Sequence, residues 1–119
     1  MSKTRSTRRA STRSITVLAY SENAQVMSYL RALLVELRPD VELRCARIVD
    51  DAARQGSDTA IDLALLDHSN GRRLSPLIRL VRRHSPNVKV VTFSDQATQQ
   101  DPRITRWENI RSSIAKALD

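Results

Sequence analysis

Asp67 is the residue whose position in this sequence most strongly suggests chemistry. It follows the apolar run 61–66, and the turn residues His68-Ser69-Asn70-Gly71 come directly after it. An apolar run of this length without alternation is typical of a strand covered on both faces, as in a parallel sheet. Ligands gather at the carboxyl ends of such strands. Asp67 is therefore a candidate reactive carboxylate, and capping of the following turn is its simpler role.

The histidines and the cysteine do not form a second candidate site. His68 and His84 both flank turns, and neither lies near another histidine or a cysteine in the sequence. Since metal ligands are usually spaced in close pairs, we expect no metal site and no cofactor. Cys45 is the single cysteine, so it cannot form an internal disulfide, and it fits a reducing cytoplasm as a small core residue.

Basic residues are concentrated in two parts of the chain. The net charge is +7, and residues 1–14 contribute +5, residues 15–71 contribute −4 and residues 72–119 contribute +6. Residues 1–14 are predicted to be a disordered arm that either attracts phosphate groups or only aids solubility. Its basic residues are Lys3, Arg5, Arg8, Arg9 and Arg13. A second candidate binding surface consists of Arg72, Arg73, Arg79, Arg82 and Arg83, of which the last three share one helix face.

The length and composition indicate one small domain with no membrane span. The chain has 119 residues, 40% of them hydrophobic and 3% aromatic, so its core must be aliphatic. No apolar run approaches the roughly 18 residues that a membrane span requires. The basic N-terminus is not followed by the hydrophobic segment of a secretory signal. We therefore predict a domain over residues 15–119, located in the cytoplasm.

The elements that position Asp67 alternate between strands and helices. Strands are predicted at 15–19, 41–48, 61–66 and 88–93, with a weak one at 104–106. The second strand alternates in polarity, which is typical of a half-exposed edge. A first helix is predicted at 24–37, and a short second one at 51–55, capped by Asp50 or Asp51 and ended by Gly56. A third helix is predicted to begin with Ser75 as its cap and Pro76 in its first turn. A last helix is predicted from the apolar spacing of Trp107, Ile110, Ile114 and Leu118. This alternation predicts a parallel α/β sheet with helices on both faces.

With this order of strands and helices, the chain resembles a response-regulator receiver domain. The resemblance rests on three segments: IDLALLD, LIRLVRRHSPNVKVVTFS and ITVLAYSENAQVMSYLRALL. It covers residues 15–94 well and residues 95–119 poorly. It implies a flavodoxin-like three-layer sandwich with a four- to five-stranded parallel sheet and a shortened fourth-helix and fifth-strand region.

The resemblance also implies roles for particular residues. Asp67 matches the aspartate that accepts a phosphoryl group, and Ser94 matches the hydroxyl position at the end of the fourth strand, with Thr92 as a second register. Tyr20 and Ser21 stand where receivers carry the acidic pair that holds Mg²⁺. No lysine follows Ile104 until Lys116, although receivers carry one at the end of the fifth strand. The resemblance is therefore to a degenerate pseudo-receiver in which Asp67 is vestigial, and Glu22 is the nearest acid that could partly replace the missing pair.

Three functions follow from these expectations. The first is a regulatory or adaptor protein, not an enzyme, that binds a signalling or transcription protein or forms a homodimer. The sequence ends at Asp119, so we expect no output domain after the last helix. The second is an accessory protein that binds nucleic acid electrostatically through the basic arm and the arginine-rich face. The third is a phosphorylatable single-domain response regulator.

Overall fold

The computed structural model describes residues 14–69, 73–94 and 104–119. Predictions about the basic arm, Arg72, the turn residues Asn70 and Gly71, and the polar stretch 95–103 concern residues outside these ranges. The elements alternate as the sequence predicts: β1 (Thr16–Tyr20), α1 (Ala24–Leu37), β2 (Glu42–Ala46), α2 (Val49–Asp58), β3 (Leu63–Asp67), α3 (Ser75–His84), β4 (Lys89–Ser94), β5 (Ile104–Arg106) and α4 (Ile110–Leu118). A single 3₁₀ turn, Trp107–Asn109, joins β5 to α4.

The five strands form one parallel sheet in the order β2-β1-β3-β4-β5. This order confirms the flavodoxin-like fold, and it places β2 at an edge as its alternating sequence predicts. Two aliphatic cores cover the two faces of the sheet. One core lies beneath α1 and α4, and the other lies beneath α2 and α3. All five residues of β3 are buried, because neighbouring strands flank β3 and helices cover both of its faces.

The first helix has the bounds that its apolar spacing predicts. Its buried stripe consists of Val26, Met27, Leu30, Leu33 and Leu34. Asn23 caps its start, because the side-chain oxygen accepts the backbone N–H groups of residues 25 and 26 at 2.8 and 3.2 Å. Pro39 disfavours helical geometry at Arg38, and the helix ends before it.

The second helix is longer than the sequence predicts. It covers Val49–Asp58, and Ile48 occupies the cap position without a side-chain hydrogen bond, so the predicted Asp50 or Asp51 cap is wrong. Gly56 does not end the helix. It is buried, and a Cβ at this position would lie 2.9 Å from Cγ2 of Val81 in α3. Gly56 therefore serves the close approach of two helices rather than a helix end.

Smaller corrections concern element ends. Ser75 is the first residue of α3 instead of its cap, and the buried Leu74 precedes it. The third strand begins at Leu63 and includes Asp67, so the acid is part of the sheet. The weak segment 104–106 is a strand paired with β4. Among the described residues, no helix is both long and apolar enough to span a membrane.

Candidate functional site

The carboxyl edge of the sheet brings together the residues that end β1, β3, β4 and β5. Tyr20 pairs with Leu66, so the next residue, Ser21, lies beside Asp67. On the other side of Asp67, Ser94 ends β4 and pairs with Arg106 at the end of β5. The parallel topology thus brings Tyr20, Ser21, Asp67 and Ser94 to a single edge.

Asp67 is buried, with 5% of its surface exposed, and both of its carboxylate oxygens accept hydrogen bonds. The Ser21 hydroxyl donates to Oδ2 at 2.7 Å. The backbone N–H of Ser69 donates to Oδ1 at 2.8 Å, which also makes Asp67 a turn-forming residue. In the described part of the chain, Asp67 forms no ion pair.

Ser21 is held in place from several directions. It is fully buried, and its backbone N–H donates to the carbonyl of Ala46 at 3.1 Å. Its hydroxyl oxygen accepts the backbone N–H of Asn23 at 3.1 Å, and Asn23 in turn caps α1. Ser21 therefore links Asp67 to the start of the first helix.

Tyr20 fills the other position where receivers carry an acid. Its side chain is fully buried in the core beneath α2 and α3, and its hydroxyl donates to Oε2 of Glu22 at 3.1 Å. Arg47 also reaches this loop and donates to the main-chain carbonyl of Glu22 at 2.9 Å. The Glu22 carboxylate is thus engaged by the Tyr20 phenol.

These residues do not fit a Mg²⁺ site. Mg²⁺ prefers carboxylate oxygens and water in octahedral geometry. Beside Asp67 the chain offers a serine hydroxyl and a buried tyrosine instead of carboxylates. Within residues 14–69, 73–94 and 104–119, no three side chains of His, Cys, Asp or Glu are grouped so that they could hold a metal ion.

Arg106 is a residue of this edge that the sequence reasoning missed. It ends β5, where receivers carry a lysine, and its Nε lies 3.6 Å from Oε2 of Glu108. The signal was present in the sequence, because an arginine, which is also a cation, ends the segment predicted as a weak strand. Lys116, the first lysine after Ile104, lies in the last turn of α4 on an exposed position.

The remaining candidates are dispersed. Thr92 lies two residues before Ser94 in β4, and Ser94 is buried with 2% exposure. His84 is exposed in the last turn of α3, far in the chain from the half-buried His68 after β3. Cys45 is half-buried in β2, and its Sγ accepts from Arg31 at 3.3 Å.

Trp107 packs between two other aromatic rings. Its ring centroid lies 5.2 Å from that of Tyr29 in α1 and 5.6 Å from that of Phe93 in β4. Both pairs are tilted, which is a favourable arrangement for aromatic rings. Trp107 thus joins α1, the sheet and the last helix.

The basic face of α3 borders a groove next to the same edge. Arg79, Arg82 and Arg83 are exposed on this helix, and Arg73 is exposed just before it. We name the depression between α3, β4 and β5 the α3 groove. It has a volume of about 610 Å³ and is lined by apolar residues, which we name its floor, by basic residues, which we name its wall, and by Ser75 and Thr92. The floor consists of Leu74, Ile78, Val90 and Ile104, and the wall consists of His68, Arg79 and Arg82.

Comparison with known proteins adds a structural likeness. The sequence matches no protein-family model, and no curated protein matches it. A response regulator from Burkholderia pseudomallei, solved with a phosphorylated aspartic acid, calcium ion and citrate, is 16% identical with a TM-score of 0.68. The match covers 88% of this chain and 66% of that one.

Two further solved structures have the same likeness. A response regulator from Thermotoga maritima is 22% identical with a TM-score of 0.62, over 87% of this chain and 79% of that one. A chain of the complex between a histidine kinase and a response regulator protein is 14% identical with a TM-score of 0.64, over 88% of this chain and 99% of that one. Together with the strand order, these matches show that the chain has the fold of response-regulator receiver domains.

Proposed function

We propose that this chain is a non-catalytic regulatory or adaptor protein that binds a protein partner in bacterial signalling or transcription control. The observation that carries the proposal is the state of Asp67, whose two carboxylate oxygens accept from Ser21 and Ser69. Phosphoryl transfer depends on cations that stabilise charge on the transferring oxygens. A hydroxyl and a phenol stand where the metal-binding acids would be, so Asp67 is vestigial as a phospho-acceptor.

The fold supports protein binding as the remaining function. One structural neighbour is a chain of a complex formed by a histidine kinase and a response regulator protein. A receiver fold that lacks the phosphorylation switch still presents its helix faces to other proteins. The proposal places the protein in the cytoplasm, with a second copy of the chain as the alternative partner.

The proposal is tested by attempting to phosphorylate Asp67. The full chain is incubated with acetyl phosphate and Mg²⁺, or with beryllofluoride, and is followed by intact-mass measurement and NMR. We expect no mass increase and no shift of the amide signals around residues 21, 67 and 94. Uptake of one phosphoryl group by the wild-type chain, abolished by Asp67→Asn, would contradict the proposal. Arg106 would then be the cation that supports the transfer.

A second candidate function is electrostatic binding of nucleic acid. The observation that favours it is the exposed Arg73, Arg79, Arg82 and Arg83, none of which has a hydrogen-bonding or ion-pair partner among the described residues. Binding of this kind weakens steeply with salt. Affinity for random-sequence duplex DNA, measured against salt for the full chain and for a chain without residues 1–14, separates the arm from α3. Equal affinities would remove the arm from this function.

A further inference from the structure

The α3 groove lies beside the outer strands β4 and β5, on the face of the sheet against which α2 and α3 pack. On this face, α2 and α3 pack over the core residues of β1 and β3, such as Leu18 and Leu66. The outer part of the face, formed by β4 and β5, borders the groove through Val90 and Ile104. The volume of the groove, about 610 Å³, lies within the usual range of binding pockets, roughly 300–1,000 Å³.

The described arginines fall into two groups, those with a hydrogen-bonding or ion-pair partner and those without one. Outside the α3 region, every described arginine contacts an acceptor: Arg31, Arg38, Arg44, Arg47, Arg54, Arg106 and Arg111. By contrast, the arginines in and just before α3 have no hydrogen bond or ion pair within the described residues. The described arginines without an acceptor are therefore concentrated in and just before α3, and two of them, Arg79 and Arg82, line the groove.

Helix stability accounts for only part of this cluster. Arg82 and Arg83 lie in the last turn of α3, where the helix dipole favours cations. Arg79 lies one turn earlier, and its spacing from the other two places like charges side by side, which destabilises a helix. An anionic group bound beside Arg79 and Arg82 would relieve that repulsion. No described residue that lines the groove is acidic.

The apolar floor and the basic wall together indicate which kind of anionic partner fits the α3 groove. A nucleic-acid backbone would satisfy the arginines but would leave the aliphatic floor unfilled, and none of the described lining residues is a Phe, Tyr or Trp on which a base could stack. A protein helix with one apolar stripe fills such a floor with its side chains. Arg79 and Arg82 are separated by about 4.5 Å along the helix axis. Carboxylates one turn apart on a partner helix have the same spacing.

We propose that the α3 groove binds an acidic amphipathic helix of a partner protein. Apolar side chains of that helix contact Ile78, Val90 and Ile104, and its carboxylates pair with Arg79 and Arg82. This inference rests on the proposed function, because it names the surface and the chemistry of the partner.

The experiment is a selection of peptides against the full chain. A random library of helical peptides is displayed on phage and panned on the wild-type protein. Enriched peptides are then synthesised and their affinity measured by fluorescence anisotropy. We expect them to carry Asp or Glu at one-turn spacing beside Leu, Ile or Phe. Arg79→Gln combined with Arg82→Gln should weaken binding by about tenfold or more, which corresponds to about 1.4 kcal/mol. Ile78→Asn should also weaken it.

Lys116→Gln is the matched control. Lys116 is an exposed cation in the last turn of α4, on the opposite face of the sheet, so the loss of its single charge should alter affinity by less than about twofold, against the larger loss expected of each single variant Arg79→Gln and Arg82→Gln. Thermal unfolding of each variant verifies that it is folded. Recovery of no peptides, enrichment without acids, or an equal loss in Lys116→Gln would overturn the inference. So would displacement of the peptides by random-sequence duplex DNA whose binding depends on Arg79 and Arg82.

The outcomes also separate this inference from the proposed function. Peptides that bind the full chain at another face, mapped by NMR, would overturn the groove assignment and leave the adaptor function standing. Phosphorylation of Asp67 would contradict the adaptor proposal whatever the peptides show.

Discussion

At the scale of single residues, Ser21 and Asp67 form a buried polar pair that a receiver-like site would not contain. The hydroxyl donates to the carboxylate at 2.7 Å, and both side chains are nearly inaccessible to water. A buried carboxylate that loses a donor is costly, because it has already been removed from water. The pair therefore stabilises the fold at the position where receivers do chemistry.

We expect Ser21→Ala to lower the free energy of unfolding by about 1–3 kcal/mol, because Oδ2 of Asp67 would lose its described donor. Urea unfolding followed by circular dichroism measures the change. Ser28→Ala is the control, since Ser28 is exposed on α1 and has no partner among the described residues. Equal stability of the two variants would mean that the Ser21 hydroxyl contributes little.

Ser21→Asp should convert the pair into a weak site for divalent cations. Two carboxylates side by side repel each other, so this variant should be less stable than the wild type in the absence of metal. Millimolar Mg²⁺ should then raise its free energy of unfolding by about 1–3 kcal/mol through selective binding to the folded state. Thermal unfolding with and without Mg²⁺ is the measurement. The wild type and Ser28→Asp should respond equally little to Mg²⁺; stabilisation of Ser28→Asp equal to that of Ser21→Asp would contradict the prediction.

At the scale of elements, the contact between α2 and α3 depends on Gly56. We expect Gly56→Ala to destabilise the protein by about 1–3 kcal/mol, because the new methyl group would overlap Val81 and valine is stiff at χ1. This outweighs the gain of up to about 1 kcal/mol that alanine brings to a helix. Chemical denaturation measures the difference.

Two further variants test that explanation. Ser57→Ala changes the neighbouring exposed position of α2 and should not destabilise the protein. Adding Val81→Ala to Gly56→Ala should cost less than the sum of the two single changes, because the shortened side chain makes room for the methyl group. Additive losses would show that the steric overlap is not the cause.

The first and last helices are linked by an ion pair that depends on pH. A hydrogen bond from Arg111, at 2.7 Å, and the charge of its guanidinium lower the pKa of Glu36 below its ordinary value of 4.5. Because the folded-state pKa is the lower one, the pair's contribution is present above pH 4.5 and is lost as the pH falls through the folded-state value. Both groups are exposed, so salt should weaken the effect.

Glu36→Gln should therefore make the unfolding free energy depend less steeply on pH below about 4.5. Denaturation series at several pH values measure this slope. Arg111→Gln should flatten it as well, and the double variant should add nothing further. A slope unchanged in either single variant would mean that the pair does not link the helices in solution.

Helix α1 was predictable because every signal for it is local. Its apolar stripe, the turn before it and Pro39 after it all lie within one stretch of sequence, and they determine its bounds. The length of α2 was not predictable in the same way. Gly56 resembles a helix end in sequence, and only the packing of Val81 from a distant helix explains why the chain continues past it.

The candidate site, too, was predictable where its signals are local and not where it depends on long-range contacts. The sheet edge that holds Asp67 followed from the alternation of strands and helices, since parallel strands end together. The hydrogen bond from Ser21 spans 46 residues and depends on the register of β1 against β3, which no local pattern determines. Arg106 was overlooked because β5 has three residues and a weak pattern, so its last position was not compared with the lysine of a receiver.

At the scale of the whole molecule, charge and chemistry lie in different places. Asp67 and Ser21 are buried at the sheet edge, whereas the arginines that have no partner among the described residues are exposed on and just before α3. Loss of one function need not impair the other. A chain with this fold can give up phosphoryl chemistry and still present a charged groove to a partner.

The order β2-β1-β3 also has a consequence for how the chain is made. The first strand lies in the interior of the sheet, but its pairing with β3 must wait until the ribosome has synthesised Leu66. At roughly 5–20 residues per second, that wait lasts several seconds. During it, the apolar segment 17–19 of the nascent chain has an open edge, which is a template for association with other chains. A strand that is almost entirely buried in the finished protein is thus among those exposed longest during its synthesis.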